Sequence, residues 1–175
     1  MTYRTKTYIA GDWTGDSDAI QKLYEWKDSN WRTLDFVDAH ELTHARDSSL
    51  NCSIKRSLKQ RLDASKTFVL VVGQNTKDLR AGSCTYCSKY TSYYSTHHCS
   101  NGYSADMRSY IDYECEVAKA AGIKIVVLYN YANVDKSKCP EALRNTGTHL
   151  NMFYYNSADG KYYWNYRAIK DVMCD

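Results

Sequence analysis

Long apolar runs are missing from this sequence, and proline is almost absent. No stretch approaches the about 18 consecutive apolar residues of a membrane-spanning helix, so we predict no membrane association. The first residues also lack the apolar stretch of about 7–15 residues that marks an export signal. With one proline and no repeat or linker-like stretch among 175 residues, we predict a single domain over residues 1–175.

The sequence also has little excess of positive over negative charge. The net charge is only +3, and lysine and arginine form no run, so we predict no nucleic-acid partner. The phosphate-binding pattern G-x-G-x-x-G and the Walker pattern are both absent. The cysteines number seven, which is odd, and no export signal accompanies them. This combination indicates a reducing compartment, and we predict a cytoplasmic protein.

The chain alternates between strand and helix patterns. Strands are expected at 7–11, 33–37, 67–72, 123–129 and, more weakly, 149–155, and helices at 17–29, 50–62, 106–121 and 164–174. The second helix has an apolar stripe of Leu50, Ile54, Leu58 and Leu62, with Lys55, Arg56, Lys59 and Arg61 on other faces.

Two of these strands, 67–72 and 123–129, are continuously apolar, which is typical of parallel strands buried on both faces. We therefore predict an α/β protein with a three-layer, flavodoxin-like fold. Its central, mostly parallel sheet has five strands in the order 2-1-3-4-5. Residues 74–105 are longer than an ordinary connection and predict an extended insertion rich in Cys, His and Tyr, either functional or partly disordered.

Glu114 has an unusual place on the helix expected at 106–121. At about 100° per residue, it falls in the middle of the apolar arc, whereas Glu116 falls on the opposite side. A carboxylate that points toward the core must be paired, protonated, at the rim of the apolar face or in the wall of a cavity. Glu114 is therefore either a functional group in a cleft or a rim residue that pairs with lysine or arginine.

Further candidate residues follow from the strand ends, because ligands of open α/β sheets bind beyond the carboxyl ends of the strands. Glycine permits close backbone approach, aspartate suits ribose hydroxyls, and tryptophan offers a stacking face. Residues 11–16 are also consistent with a capped turn that binds nothing. The candidate substrate-binding residues at these ends are Gly11, Asp12, Trp13, Asp16, Asp38 and Gly73.

Two stretches of the sequence resemble a known family. They are FVDAHELTHARDSSLNCSIKRSLKQRLDASKTFVLVVGQNT and SYIDYECEVAKAAGIKIVVLYN. Their order and spacing resemble bacterial TIR-like domains, and in particular the TIR-like sensor proteins of the Thoeris anti-phage systems. The resemblance covers about residues 5–130 and implies a TIR-like fold.

What the resemblance implies is an enzyme that cleaves the bond between nicotinamide and ribose in NAD. NAD is then the substrate, and no cofactor is required. An aromatic-x-x-x-Glu helix carries the essential carboxylate in this family, which implies Glu114 as the catalytic residue and Tyr110 as a substrate contact. The usual aromatic residue there is tryptophan, and the segment YIAGDWTGD matches the family pattern poorly.

The resemblance also implies partners. Thoeris-type relatives make a cyclic or modified ADP-ribose signal that activates an effector protein, and TIR domains often act as assemblies. We therefore expect an ADP-ribose-derived product, an effector partner and a homo-oligomer. The alternative is a non-catalytic, flavodoxin-like signalling module that binds a nucleotide or a protein partner.

Two cysteine and histidine patterns point to other chemistry. Cys84, Cys87, His97 and Cys99 supply the Cys₃His set of a tetrahedral zinc site, although a flexible lid, a partner-binding loop or a redox-sensitive C-x-x-C pair are alternatives. His40, Glu41 and His44 spell H-E-x-x-H, the zinc-hydrolase motif, in a stretch without a helical pattern. The tyrosines of residues 154–166 favour packing, with a partner surface as the alternative.

Overall fold

The computed structural model describes residues 3–39, 50–93 and 96–174, with the backbone alone at residues 92, 93, 96 and 97. The helices are α1 (Ser17–Asp28), α2 (Asn51–Asp63), α3 (Tyr110–Ala120) and α4 (Tyr166–Cys174). The strands are β1 (Lys6–Ala10), β2 (Ser65–Val72), β3 (Tyr90–Tyr93), β4 (Thr96–Cys99), β5 (Lys124–Tyr129), β6 (Thr148–Asn151), β7 (Phe153–Asn156) and β8 (Lys161–Trp164).

The central sheet is parallel and has four strands in the order β1-β2-β5-β6. The α/β fold is confirmed, but the predicted count of five strands is wrong. Residues 33–37 form no strand, and Thr7 pairs with Asp38 through one isolated parallel bridge. Leu34 and Phe36 are buried while their neighbours are exposed. This alternation mimics a strand pattern without the hydrogen-bonded ladder.

Helices cover both faces of the sheet, as the continuously apolar strands predict. On one face, α2 and α3 pack on side chains such as Phe68 and Val127. On the other face, α1 and α4 pack on the alternate residues, such as Val69 and Leu128. Successive strand residues point to opposite faces, so the two apolar layers meet only at the sheet itself.

The first turn of α3 begins later than the sequence predicts. Ser109 is the N-cap, and its hydroxyl oxygen accepts a hydrogen bond from the Asp112 backbone N–H at 3.1 Å. Asp106 and Arg108 lie outside the helix and hydrogen-bond to each other, including a 3.0 Å bond from the Arg108 backbone N–H to Asp106 Oδ1. The predicted helix over 106–121 is therefore confirmed only from Tyr110 onward.

The described part of residues 74–105 contains regular secondary structure. It contains the helical turns Thr76–Asp78 and Cys84–Tyr86 and the antiparallel pair β3–β4. The weak strand predicted at 149–155 is two elements, β6 in the central sheet and β7 in a hairpin with β8. Within the described ranges, none of the helices is long and apolar enough to cross a membrane.

Candidate functional site

The candidate site is a cavity of about 440 Å³ at the carboxyl end of β1. The loop after β1, helix α2, the segment after β2 and the first turns of α3 form its walls. This is the position that the open-sheet rule predicts for a ligand. The described lining residues are Tyr8, Gly11, Asp12, Trp13, Thr14, Ile54, Leu58, Arg61, Leu79, Ala81, Tyr110, Ile111 and Glu114.

Glu114 lies in the wall of this cavity and is only 7% exposed. Its Oε1 accepts a hydrogen bond from the Tyr8 hydroxyl, and Arg61 hydrogen-bonds to the same phenol. Glu116 is exposed and pairs with Arg108 at 2.7 Å. The contrast between the two carboxylates, inferred from helical periodicity, is confirmed. Glu114 therefore lies in a cavity wall, close enough to Arg61 for that charge to lower its pKa.

Burial controls the protonation of Glu114. Desolvation raises the pKa of this carboxyl, and the Tyr8 hydrogen bond and the Arg61 charge lower it only partly, so that it reaches about 7. Burial and the adjacent Glu114 carboxylate also raise the pKa of Tyr8 well above its usual value, which keeps the phenol protonated as a donor. The site therefore holds a carboxyl group that titrates near neutral pH.

This raised pKa predicts a pH-dependent stability difference between wild type and Glu114→Gln. The neutral carboxyl is favoured in the fold, so its contribution to the free energy of unfolding is complete below pH 4.5 and is lost as the pH rises through about 7. Relative to the variant, wild type should lose about 3 kcal/mol across this range. Urea unfolding at a series of pH values measures the difference. A difference that stays constant over the series contradicts the assignment.

Tyr110, at the start of α3, is one of the residues that line the cavity. Its hydroxyl donates a hydrogen bond of 2.8 Å to Asn51 Oδ1, which ties α3 to the start of α2. The ring lies against Gly82, whose φ is +94° and where an added Cβ would stand 2.4 Å from the ring. Glycine is therefore required at this position for both reasons. The Tyr110 ring has a fixed orientation beside the opening.

The loop after β1 is both a turn and a wall of the cavity. Asp12 Oδ1 accepts a hydrogen bond from the Thr14 N–H at 3.0 Å, and the Asp12 carbonyl accepts one from the Asp16 N–H at 2.8 Å. Trp13 is 49% exposed and contacts the Tyr24 ring, with the centroids 6.1 Å apart. Gly11, Asp12 and Trp13 thus lie in the cavity lining as well as in a turn, and their role as substrate contacts stays a prediction.

Asp16 and Gly73 lie outside this cavity. Asp16 precedes α1 but makes no side-chain cap; its Oδ1 accepts a hydrogen bond from Asn130 Nδ2 at 3.0 Å. Burial raises the Asp16 pKa. A Cβ on Gly73 would stand 1.8 Å from Asp16 Oδ1, so this glycine is required by packing. Asp16 lines a separate polar cavity of about 200 Å³ together with Asp12.

Asp38 is also outside the lining. It is 8% exposed, and its Oδ2 accepts a hydrogen bond of 2.9 Å from the Tyr24 hydroxyl. The isolated bridge to Thr7 holds its backbone beside the amino-terminal part of β1. Because the predicted second strand does not form there, its end does not bring Asp38 into the candidate site.

The structure describes the side chains of three of the four predicted zinc ligands, and these three form no metal site. Among the described residues, no group of three or more His, Cys, Asp and Glu side chains can hold a metal ion. Cys84 is buried, and its sulfur accepts a hydrogen bond from the Asp106 N–H at 3.2 Å. The His97 side chain and the residues His40, Glu41 and His44 lie outside the described part. The full Cys₃His set stays a prediction without support from Cys84, Cys87 and Cys99.

Sequence reasoning missed Tyr8 and Arg61 as site residues. Arg61 is 9% exposed and Lys55 is 4% exposed, so both are buried although they lie off the apolar stripe of α2. A signal was available, because Arg61 follows Ile54 by seven positions and Leu58 by three, which places it at the border of the apolar stripe. Tyr8 is at an inward-facing position of a strand, so periodicity can predict that it is buried. Periodicity cannot predict that its hydroxyl contacts the Glu114 carboxylate.

Comparison with known protein families shows which family this chain resembles. Residues 8–81 match the family model for the TIR-like domain of the Thoeris protein ThsB. The chain is similar to the Thoeris TIR-like domains. The resemblance drawn from the sequence is thereby confirmed. The match covers less than half of the chain and ends before Tyr110 and Glu114, so it says nothing about the roles of these two residues.

The TIR-like fold has a structural neighbour as well. It is a metazoan TIR-STING receptor from C. gigas, solved in complex with 2',3'-cGAMP. The TM-score is 0.50 at 11% sequence identity, and the alignment covers 100% of this chain. This chain spans 41% of the length of that receptor. At this identity the likeness shows the fold alone. No curated protein matches the chain.

Proposed function

We propose that this chain is an NAD-consuming TIR-like enzyme that cleaves the nicotinamide–ribose bond. The observation that carries the proposal is Glu114, a buried carboxyl group that titrates near neutral pH in the wall of a cavity at the end of β1. Perturbed carboxyl groups in clefts are typical of catalytic sites. The resemblance to a TIR-like family favours NAD as the substrate.

The chemistry needs one carboxylate and no general acid. When the glycosidic C–N bond breaks, its electron pair goes to the nicotinamide nitrogen, which becomes neutral, and positive charge develops on the ribose ring. The ionised Glu114 carboxylate accepts hydrogen bonds from the ribose hydroxyls and stabilises that charge. An acceptor then forms the new bond to the ribose carbon and loses its proton.

The lining of the cavity suits this substrate. Ile54, Leu58 and Leu79 supply apolar walls, which exclude water from the reacting carbon. Trp13 and Tyr110 offer ring faces for nicotinamide, and Asp12 offers a carboxylate for hydroxyl groups. The Gly11 backbone belongs to the lining, and a Cβ on it would stand 3.2 Å from Ile20 and Val71. We propose these four residues as substrate contacts.

The acceptor decides the product. Water gives ADP-ribose, whereas an internal ribose or adenine atom gives a cyclic isomer. We propose an ADP-ribose-derived, cyclic signal in bacterial anti-phage immunity, with an effector protein that responds to it and with no cofactor. A cytoplasmic location, where NAD is available, accords with this proposal.

Incubation of the wild-type protein with NAD, followed by liquid chromatography and mass spectrometry, tests the proposal. We expect nicotinamide in equal amount to a second product, whose mass distinguishes ADP-ribose from a product one water lighter. The assay is run over a series of protein concentrations, so that activity which needs an assembly is seen. No nicotinamide at any concentration supports the alternative, a non-catalytic nucleotide-binding or partner-binding module.

A further inference from the structure

A second cavity lies beside the hairpin of β7 and β8. Its volume is about 540 Å³. Trp164 and Tyr166, which belong to its lining, pack in the layer of α1 and α4, whereas Glu114 lies on α3 in the opposite layer. The described residues that line this cavity, called here the aromatic cavity, are Arg32, Tyr154, Trp164, Asn165, Tyr166 and Arg167.

The aromatic cavity is positively charged. Arg32 and Arg167 contribute two guanidinium groups, and no carboxylate is among its described lining residues. The Arg32 guanidinium lies over the Tyr166 ring, with its Cζ 5.6 Å from the centroid. Lys170 adds a third cation, with its Nζ 6.0 Å from the same centroid. Guanidinium groups bind phosphate through paired N–H bonds in a planar geometry, and they remain charged at every physiological pH. This part of the cavity fits a phosphate group.

The rings of the aromatic cavity have fixed positions. Trp26 contacts Trp164 and Tyr166 edge-on, with centroid distances of 5.9 and 5.2 Å. The Tyr166 hydroxyl donates a hydrogen bond of 3.3 Å to the Thr33 carbonyl. Tyr154 is 46% exposed and contacts the Tyr163 ring at 6.0 Å. Rings held in place at a solvent opening can stack with a planar base without a large entropic cost.

We propose that the aromatic cavity binds a phosphorylated nucleoside, with the base against Tyr154 and the phosphate near Arg32 and Arg167. Its volume lies in the usual range for small-ligand sites, about 300–1,000 Å³. Two arginines at one opening suit a single phosphate or diphosphate, whereas a nucleic-acid strand needs a longer basic track. The proposal does not depend on NAD cleavage, because the two cavities lie in different layers.

Calorimetric titration with ADP, at about 50 mM salt so that screening stays weak, tests the site. We expect ADP to bind and adenosine to bind at least about tenfold more weakly, because it lacks the charged hydrogen bonds. The double variant Arg32→Gln/Arg167→Gln should weaken ADP binding by about tenfold or more, and Tyr154→Ala should weaken it several-fold. Arg56→Gln, an exposed arginine on α2, is the matched control.

The outcomes separate the two cavities. ADP binding that is lost in the double arginine variant and retained in Glu114→Gln supports the proposal, whether or not the protein cleaves NAD. ADP binding that survives the double variant, or the absence of binding up to about 5 mM ADP, overturns it. Tighter binding of polyuridylate or of an acidic peptide than of ADP also overturns it, because the ligand is then a macromolecule. Thermal unfolding of each variant verifies that it folds.

Discussion

Nicotinamide release from NAD is expected to fall by about 100-fold or more in Glu114→Gln. The substitution keeps the shape of the side chain and the acceptor for the Tyr8 hydroxyl, but it removes the negative charge. The developing positive charge on ribose then has no carboxylate beside it. Initial rates measured by chromatography at saturating NAD provide the comparison, with thermal unfolding as a check on folding.

Glu116→Gln is the matched control for this variant. Glu116 lies two residues further along α3, is exposed and pairs with Arg108. Its loss should leave nicotinamide release within about twofold, because an exposed pair contributes little to the structure. Equal rates for wild type and Glu114→Gln would contradict the catalytic role of Glu114. An equal loss of activity in Glu114→Gln and Glu116→Gln would show that a general disturbance of α3, and not the Glu114 charge, lowers the rate.

The pH profile gives an independent readout of the same group. Because the Glu114 pKa is raised to about 7, its ionised fraction, and with it nicotinamide release, should increase as the pH rises through 7. The corresponding stability contribution declines over the same range. A profile that is flat between pH 5.5 and 8.5, flanking the pKa of about 7, would show that the ionised form of Glu114 is not required.

Replacing Lys55 is expected to cause the largest loss of stability. Its buried Nζ donates a hydrogen bond of 2.7 Å to the Arg108 carbonyl and lies 3.4 Å from Asp106 Oδ1. Lys55→Met removes the cation that holds the segment before α3 on α2. We expect the free energy of unfolding to fall by about 3 kcal/mol, the lower end for a broken buried pair, because Arg108 still pairs with Asp106.

The consequences of Lys55→Met reach the candidate site. A loss of about 3 kcal/mol corresponds to a Tm lower by about 6–12 °C in a protein of this size. Ser109 and Tyr110 follow the released segment directly, so nicotinamide release should also decrease. Lys59→Met is the control, since Lys59 forms an exposed pair with Asp63 at 2.7 Å and its loss should cost less than about 1 kcal/mol. Similar Tm losses in both variants contradict the role of Lys55.

The pH dependence of the Lys55 contact follows from Asp106. Burial raises the pKa of Asp106, but the hydrogen bonds from Arg108 and the Lys55 charge outweigh this effect and hold the pKa at about 2. The lowered pKa stabilises the fold above the unfolded value of 3.8, and this contribution is lost as the pH falls toward 2. The loss of unfolding free energy in Lys55→Met should therefore be largest near neutral pH and smaller in strong acid.

Periodicity was sufficient for the parts of the fold that bury apolar residues in a regular pattern. The apolar runs correctly predict β2 and β5, and the stripe beginning at Leu50 predicts α2. The same reasoning predicts that Glu114 is turned inward and Glu116 outward, because position on a helix determines the face. These features depend on local spacing, which a single sequence contains.

The sequence by itself thus determined the α/β class, the parallel core strands and the burial of Glu114. Only the tertiary structure decided that Tyr8 and Arg61 meet this carboxyl group, that Lys55 is buried, and that Asp16, Asp38 and Gly73 stay outside the cavity. It also reduced the expected second strand to one bridge between Thr7 and Asp38. The physical reason is that hydrogen bonds and ion pairs between distant segments depend on how the helices pack on the sheet, and local periodicity carries no record of that packing.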